Sequence, residues 1–398
     1  MADLNALQPF VPEGHASGPL LERAGRLVIE AARLGGQAGE PLRAVLRPKL
    51  RAMNSYYTNK IEGQHTRPAD IERALNRKFS ADRQLAKRQR IALAHMHAEE
   101  KLQEATKNVP ARALFSAPRV REIHELLYAA LPEDDRFTDE GEPIVPGSYR
   151  TRDVTAGRHL APAHADVPAL VEAWADVYAQ SSGNKALIVA AVCSHHRLAW
   201  IHPFINGNGR AARLHTHLVL HSLGLTQGLW SPMRGLARTQ QDYYARLSNA
   251  DLPRRNDLDG RGALSQEELV AFAAYFLDVC LDQVELMRDR LDLASLKSRI
   301  STLLLHLQES PWRVGSEKSV VKTETLEALH YVMLTGSVER SRFVAMTGLG
   351  ERTGRRVLAS LLDYGVLSAS SPREPVGFAL PLKSLRFLFP NLWPEADT

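Results

Sequence analysis

Residues 185–201, KALIVAAVCSHHRLAWI, constrain the fold more than any other stretch, because they are apolar on nearly every side of a helix. Such a helix has to be enclosed by other helices, and Pro203 has to end it. The chain supplies the enclosing elements. Apolar residues recur at helical spacing over 19–36, 49–63, 169–180, 213–225, 238–250 and 265–293. Thr66 is placed to cap a further helix that has Pro68 in its first turn. The predicted fold class is mainly α.

The exception is 132–168, rich in Pro, Gly and Asp and without helical period, where YRTRDVTAGRHLAP predicts a short hairpin turning at Ala156 and Gly157. At 341–367 the pattern is helix, glycine-bearing turn, helix and short apolar strand, and 368–380 adds a hairpin wing. That is a winged-helix pattern. Its second helix displays Arg352, Arg355 and Arg356, which fit DNA as one partner, but Glu351 in the preceding turn favours a winged helix used for packing or for pairing two copies as a homodimer. The segment NDLDGRGALSQEE has a calcium-loop outline, but Arg255 and Gln266 fall where acidic ligands are required.

At 398 residues the chain exceeds one ordinary core, and 44% apolar with 24% charged residues excludes disorder as the default. No apolar run reaches the roughly 20 residues of a membrane span, and the first residues lack a leader pattern, so a cytoplasmic protein that does not enter the membrane is expected. Cys193 and Cys280 lie in apolar helical patterns without metal-ligand spacing and predict buried thiols. The net charge of +5 is uneven: 43–112 carries 16 Lys and Arg against 7 Asp and Glu, interleaved with apolar residues as on a solvated helix face.

The chemistry concentrates in IHPFINGNGRAAR, residues 201–213. One helix stops at Pro203 and another starts near Gly209, so the residues between form a tight bend at a helix N-terminus. Unpaired N–H groups and the helix dipole make that place an anion site. Gly207 and Gly209 let the backbone approach a ligand, and Arg210 and Arg213 share one face of the new helix. The combination predicts a polyphosphate cradle, whereas Gly-Asn-Gly alone is a common turn. His202, preceding a proline, is expected in an extended conformation at the rim, able to accept a proton at neutral pH. Phe204 is expected to anchor the loop in the core.

HPFINGNGRAAR closely resembles the signature of Fic-domain proteins: His-Pro-Phe, any residue, an acidic residue, Gly-Asn-Gly-Arg, and a second Arg three positions on. The resemblance implies a helical core with a β-hairpin flap, here 147–165, that docks a target segment by strand addition. It also implies transfer of AMP from ATP to a hydroxyl side chain of a protein. His202 would be the base, Gly207, Asn208 and Gly209 would hold phosphates, and Arg210 and Arg213 would bind toward the β- and γ-phosphates. One departure stands out: Asn206 replaces the acidic residue that holds Mg²⁺, so metal affinity is expected to drop and Mg²⁺ to come mainly with the nucleotide. TNKIEG, 58–63, resembles the family's inhibitory motif, with Thr58 and Glu62 on one helix face; Glu62 would pair with Arg213 in place of the γ-phosphate. Near the adenine, Tyr243 or Tyr244 is expected.

These readings divide the chain into an N-terminal helical region carrying the inhibitory motif (1–115), a Fic catalytic core (116–295), and a linker with a winged helix (296–398). Two alternatives stand beside protein AMP transfer. In one, the winged helix binds DNA and the Fic domain senses a nucleotide. In the other, the enzyme uses another donor such as UTP, or runs the reverse hydrolysis with Glu62 positioning a water.

Overall fold

The structure is a computed structural model that describes residues 4–64, 66–312 and 320–393. The chain divides into two compact units that interleave along the sequence. The first holds 1–32, 51–66 and 73–285; the second holds 33–50, 67–72 and 286–398. Helices α1 (Gly18–Gln37) and α2 (Glu40–Ile61) therefore each contribute residues to both units.

The first unit is built around the apolar stretch 185–201. It forms α7 (Asn184–Ile201), buried from Leu187 to Leu198. Helices α6 (Val167–Ala179) and α8 (Asn208–Ser222) pack on it, and α4 (Arg83–Ala105) and α5 (Ala117–Tyr128) pack on α8. Trp174 on α6 is fully buried and donates its Nε1–H to the Ser194 carbonyl at 3.0 Å. Burying so large a side chain while pairing its one donor is the favourable combination for an indole. Asp82 caps α4 and Ser116 caps α5, accepting from Leu85 and Arg119 N–H. Short helices α9 (Met233–Arg238) and α10 (Gln240–Asn249) lead into α11 (Gln266–Arg290). The expected hairpin is present as β1 (Thr155–Ala156) and β2 (His159–Leu160), antiparallel, turning at Gly157 with φ +63°. Cys193 and Cys280 are buried.

Three local expectations are corrected. The helix read over 49–63 begins at Glu40 and carries Pro48 in its interior; the missing hydrogen bond is offset by burial of Leu42, Leu46 and Leu50. Helix α3 (Pro68–Leu75) does begin at Pro68, but Thr66 does not cap it: its hydroxyl is buried and has no hydrogen-bond partner among the described residues. The expected linker begins as helix, within α12 (Leu293–Glu309), while 313–319 and 394–398 of that segment lie outside the described residues.

In the second unit α12 packs on α13 (Leu326–Thr335) and α16 (Leu382–Leu388). Strand β3 (Ser337–Val338), helices α14 (Arg340–Met346) and α15 (Glu351–Asp363), and strands β4 (Leu367–Ser368) and β5 (Val376–Phe378) follow. The antiparallel sheet has the order β3-β5-β4, with Val338 opposite Val376 and Leu367 opposite Phe378. Gly354 is required where α14 meets α15, since a Cβ there would lie 2.6 Å from Val344 Cγ1. Helix α15 buries Val357, Leu358 and Leu361 and exposes Arg352, Arg355 and Arg356.

Candidate active site

The bend between α7 and α8 is held by side chains that are far apart in the sequence. His202 ends α7 in the left-handed conformation, φ +49° and ψ 59°, and not extended as its position before proline predicts. The left-handed residue closes the helix, its N–H bonding Leu198 O at 3.2 Å, and turns the chain before Pro203. That conformation costs a non-glycine residue roughly 1–2 kcal/mol. Arg150 offsets it: its Nε donates to His202 O at 2.9 Å, and its backbone N–H to Pro203 O at 2.9 Å.

Phe204 is fully buried and stacks on the His124 ring, with centroids 3.8 Å apart and planes 7° apart. Asn208 staples the loop from inside, accepting from Phe204 N–H and donating to Phe204 O, each at 2.8 Å. Its side-chain amide is consumed by this pair and faces the inside of the loop. Gly207 caps α8 with φ +80°, and a Cβ there would lie 2.6 Å from the Tyr128 hydroxyl, so both conformation and space demand glycine.

Tyr128, on α5, organises the two polar residues beside it. Its hydroxyl donates to Asn206 Oδ1 at 3.0 Å and accepts from Arg210 Nη2 at 2.6 Å; Arg210 also donates to Asn206 Oδ1 at 3.1 Å. Arg213 is buried and turns to α2, donating to Thr58 Oγ1 at 2.8 Å and to Glu62 Oε1 at 2.5 Å. The Glu62 carboxylate lies over the first turn of α8, so close that a Cβ on Gly209 would collide with it. A carboxylate thus sits at the N-terminal end of α8, where the helix dipole favours negative charge. Burial works to raise the Glu62 pKa, but the charges of Arg213 and Arg210 outweigh it and hold the carboxyl below its ordinary value.

His202, Glu62, Gly209 and Arg213 line a cavity of about 530 Å³ whose far wall includes Trp200 and Asp251. Tyr243 and Tyr244 line it too. The Tyr243 hydroxyl bonds buried His195 at 2.8 Å, and the Tyr244 hydroxyl donates to Ile61 O at 2.8 Å, closing the end of α2. A second cavity of about 570 Å³ reaches His202 from the hairpin side, past Thr155, Leu160 and Ile205. Burial pushes the His202 imidazole down to about 4, so it is neutral at neutral pH, with a backbone bond to Ala199 fixing the ring. Tyr128, His124 and Arg150 carry no local signature in the sequence, since they sit 52 to 82 residues from their partners in the bend.

Residues 114–220, from the last turn before α5 to the end of α8, match the Fic/DOC family. The chain carries a Fic domain. The protein adenylyltransferase Fic of Nematostella vectensis is 32% identical over 118 residues, 29% of this chain and 26% of that protein; that of Drosophila willistoni is 33% identical over 115 residues, 29% and 23%. The chain thus spans about a quarter of the length of these curated relatives. A Fic family protein from Desulfovibrio desulfuricans G20 superposes with a TM-score of 0.53 at 19% identity, over 94% of this chain and 99% of that one. A Fic domain containing signaling protein from Bacteroides thetaiotaomicron VPI-5482 gives 0.51 at 19%, over 67% and 95%. The mainly helical fold is that of Fic proteins. No helix among the described residues is long and apolar enough to cross a membrane.

Proposed function

We propose that the protein transfers AMP from ATP to a hydroxyl side chain of a target protein and that Glu62 restrains it. The observation that carries this reading is the Glu62 carboxylate seated on Arg213 and the N-terminus of α8, where a terminal phosphate of a nucleotide would bind. In the transfer, the hydroxyl oxygen bonds to the α-phosphorus, the bond to pyrophosphate breaks, and the proton passes to the free ring nitrogen of His202. That His202 is neutral and borders both cavities supports its reading as the general base. The amides of α8 and the guanidinium groups of Arg210 and Arg213 then face the charge of the leaving pyrophosphate.

Asn206 does not fit a divalent cation. Its single carbonyl oxygen already accepts from Tyr128 and from a guanidinium, and it lacks the charge a carboxylate would bring. In this reading any Mg²⁺ would ride on the nucleotide's own phosphates.

The test is incubation of the purified protein with labelled ATP. Label from the α-phosphate is expected on protein, label from the γ-phosphate is not, and UTP is expected to be a poor donor. Label retained from the γ-position would assign a kinase-like reaction and end the proposal.

A second reading has its own observation: Arg352, Arg355 and Arg356 lie exposed on α15, the second helix of a helix-turn-helix followed by the hairpin β4–β5, an arrangement that presents a helix to the major groove. Arg340 fixes that hairpin by donating to Glu374 O at 3.0 Å. We therefore also propose duplex DNA as a partner. Replacing Arg352 and Arg356 by Ala is expected to weaken a gel shift about tenfold or more at low salt, since each lost phosphate contact also lowers the salt dependence.

A further inference from the structure

Behind the Glu62–Arg213 contact lies a buried polar seam that the proposed reaction does not use. On α2 the residues facing it are Asn54 and Thr58, with Glu62 immediately after the helix; on α8 they are Gly209, Arg213 and His217. Both sets are spaced by four, so each forms a row along one helix face. The rows run in opposite directions. Glu62 meets Arg213 over Gly209, Thr58 meets Arg213, and Asn54 is linked to His217 by Glu99 of α4.

Glu99 is 2% exposed and serves both helices at once. Its two oxygens accept from Asn54 Nδ2 at 3.1 and 3.2 Å, and Oε1 lies 3.5 Å from His217 Nε2. Ser231 donates to Asn54 Oδ1, so the Asn54 amide is satisfied on both ends, and Gln103 adds a bond to Glu99 at 3.4 Å. Although burial opposes its charge, the hydrogen bond and charge of His217 hold the Glu99 carboxyl below its ordinary value. Two turns from the bend, a buried carboxylate therefore fixes the axial position of α2 against α8. Sliding or tilting α2 enough to lift Glu62 off Arg213 would strip Glu99 of its Asn54 partner, and a buried charge that loses a donor is strongly disfavoured.

We propose that Glu99 is a positioning residue that locks the restraining helix in register, so that Glu62 leaves the anion site only when the Glu99–Asn54–His217 junction also gives way. This rests on the reading of Glu62 as a restraint. The experiment compares label transferred from α-labelled ATP by wild type, Glu62→Gly, Glu99→Gln and the double variant, all as the full chain. Glu99→Gln removes the charge and sets an amide against the Asn54 amide; transfer is expected to rise about tenfold, the scale of one charge-assisted hydrogen bond. In the Glu62→Gly background the same change is expected to add nothing, because the restraint it supports is already gone. A merely structural Glu99 would instead lower transfer in both backgrounds, and that result would overturn the proposal. So would a Glu99→Gln protein that transfers like wild type while Glu62→Gly is active.

Hydrogen exchange keeps the test independent of transfer. In Glu99→Gln the amides of 54–62 are expected to exchange faster, and unchanged exchange there would overturn the proposal even if the function reading stood. A silent Glu62→Gly variant would overturn that function reading instead, and the exchange result would still decide the register lock. Should Glu99→Gln fail to fold, Asn54→Ser approaches the same junction from α2 and carries the same expectations.

Discussion

Glu62→Gly is expected to raise AMP transfer by about 10- to 100-fold while lowering the protein's thermal stability, and the opposition of the two effects is the diagnostic. Arg213 is 1% exposed and its carboxylate partner is Glu62, so removing the carboxylate leaves the buried guanidinium facing neutral partners such as Thr58 and Tyr243. Breaking a fully buried pair from one side costs about 3–5 kcal/mol, and since the Glu62 side chain is 28% exposed the loss here is nearer about 2 kcal/mol. The same vacancy frees the α8 N-terminus for phosphate. ATP is then expected to restore the lost stability, by about 2.7 kcal/mol at a hundredfold excess over its Kd, and more so than in wild type. His202→Ala in either background is expected to remove transfer by about 10²- to 10⁴-fold without abolishing that ATP-induced stabilisation, because it deletes a base and not a phosphate contact. Thermal melts with and without ATP, beside the labelling assay, read all of these. A Glu62→Gly protein as stable as wild type, or one whose transfer is unchanged, would contradict the geometry of the pair.

The stability of the first unit is expected to collapse between pH 6.5 and 4. Burial drives the imidazoles of His95, His202 and His215 down to about 4 and that of His124 to about 3, and it also lowers His195 and His196. In the unfolded chain each titrates near 6.5. Below that pH the unfolded state binds protons that the folded state refuses, so the stability present above pH 6.5 falls as pH drops toward 4. Each group contributes a slope of up to about 1.4 kcal/mol per pH unit, and several acting together approach the whole stability of a domain, about 5–15 kcal/mol. Glu62 and Glu99, held below their ordinary values, add loss in the same direction as they are protonated. The Tm is expected to fall by more than about 10 °C between pH 7 and pH 5, with His215→Phe flattening the slope, since that ring already packs against Phe115 and Trp174. Circular dichroism melts across that range check it; a flat profile would mean the imidazoles are not buried neutral.

The contiguous parts of the site were legible in the sequence and the distant parts were not. An all-round apolar helix cut by a proline, then two glycines and two arginines at helical spacing, can be recognised within residues 185–213 because the bend, its amides and its guanidinium groups all come from neighbours in the chain. The hairpin turn at Gly157 was readable for the same reason. Thr58 and Glu62 pointed to a restraint only through resemblance, since nothing local says that a Glu after a helix faces an arginine 151 residues on. The conformation of His202 went against its local preference because closing α7 and bonding Arg150 outweigh the bias that a following proline imposes.

By itself the sequence determined that a buried helix breaks at a glycine-bearing bend beside an imidazole, because helix periodicity, proline and glycine act within a few residues. Only the tertiary structure decided which groups fill that bend. It seats Glu62 on Arg213, spends the Asn206 oxygen on Tyr128 and Arg210, turns the Asn208 amide inward, and ties α2 to α8 through Glu99. Each of these joins separate helices, and a buried donor or acceptor takes whichever partner the packing of those helices brings within reach.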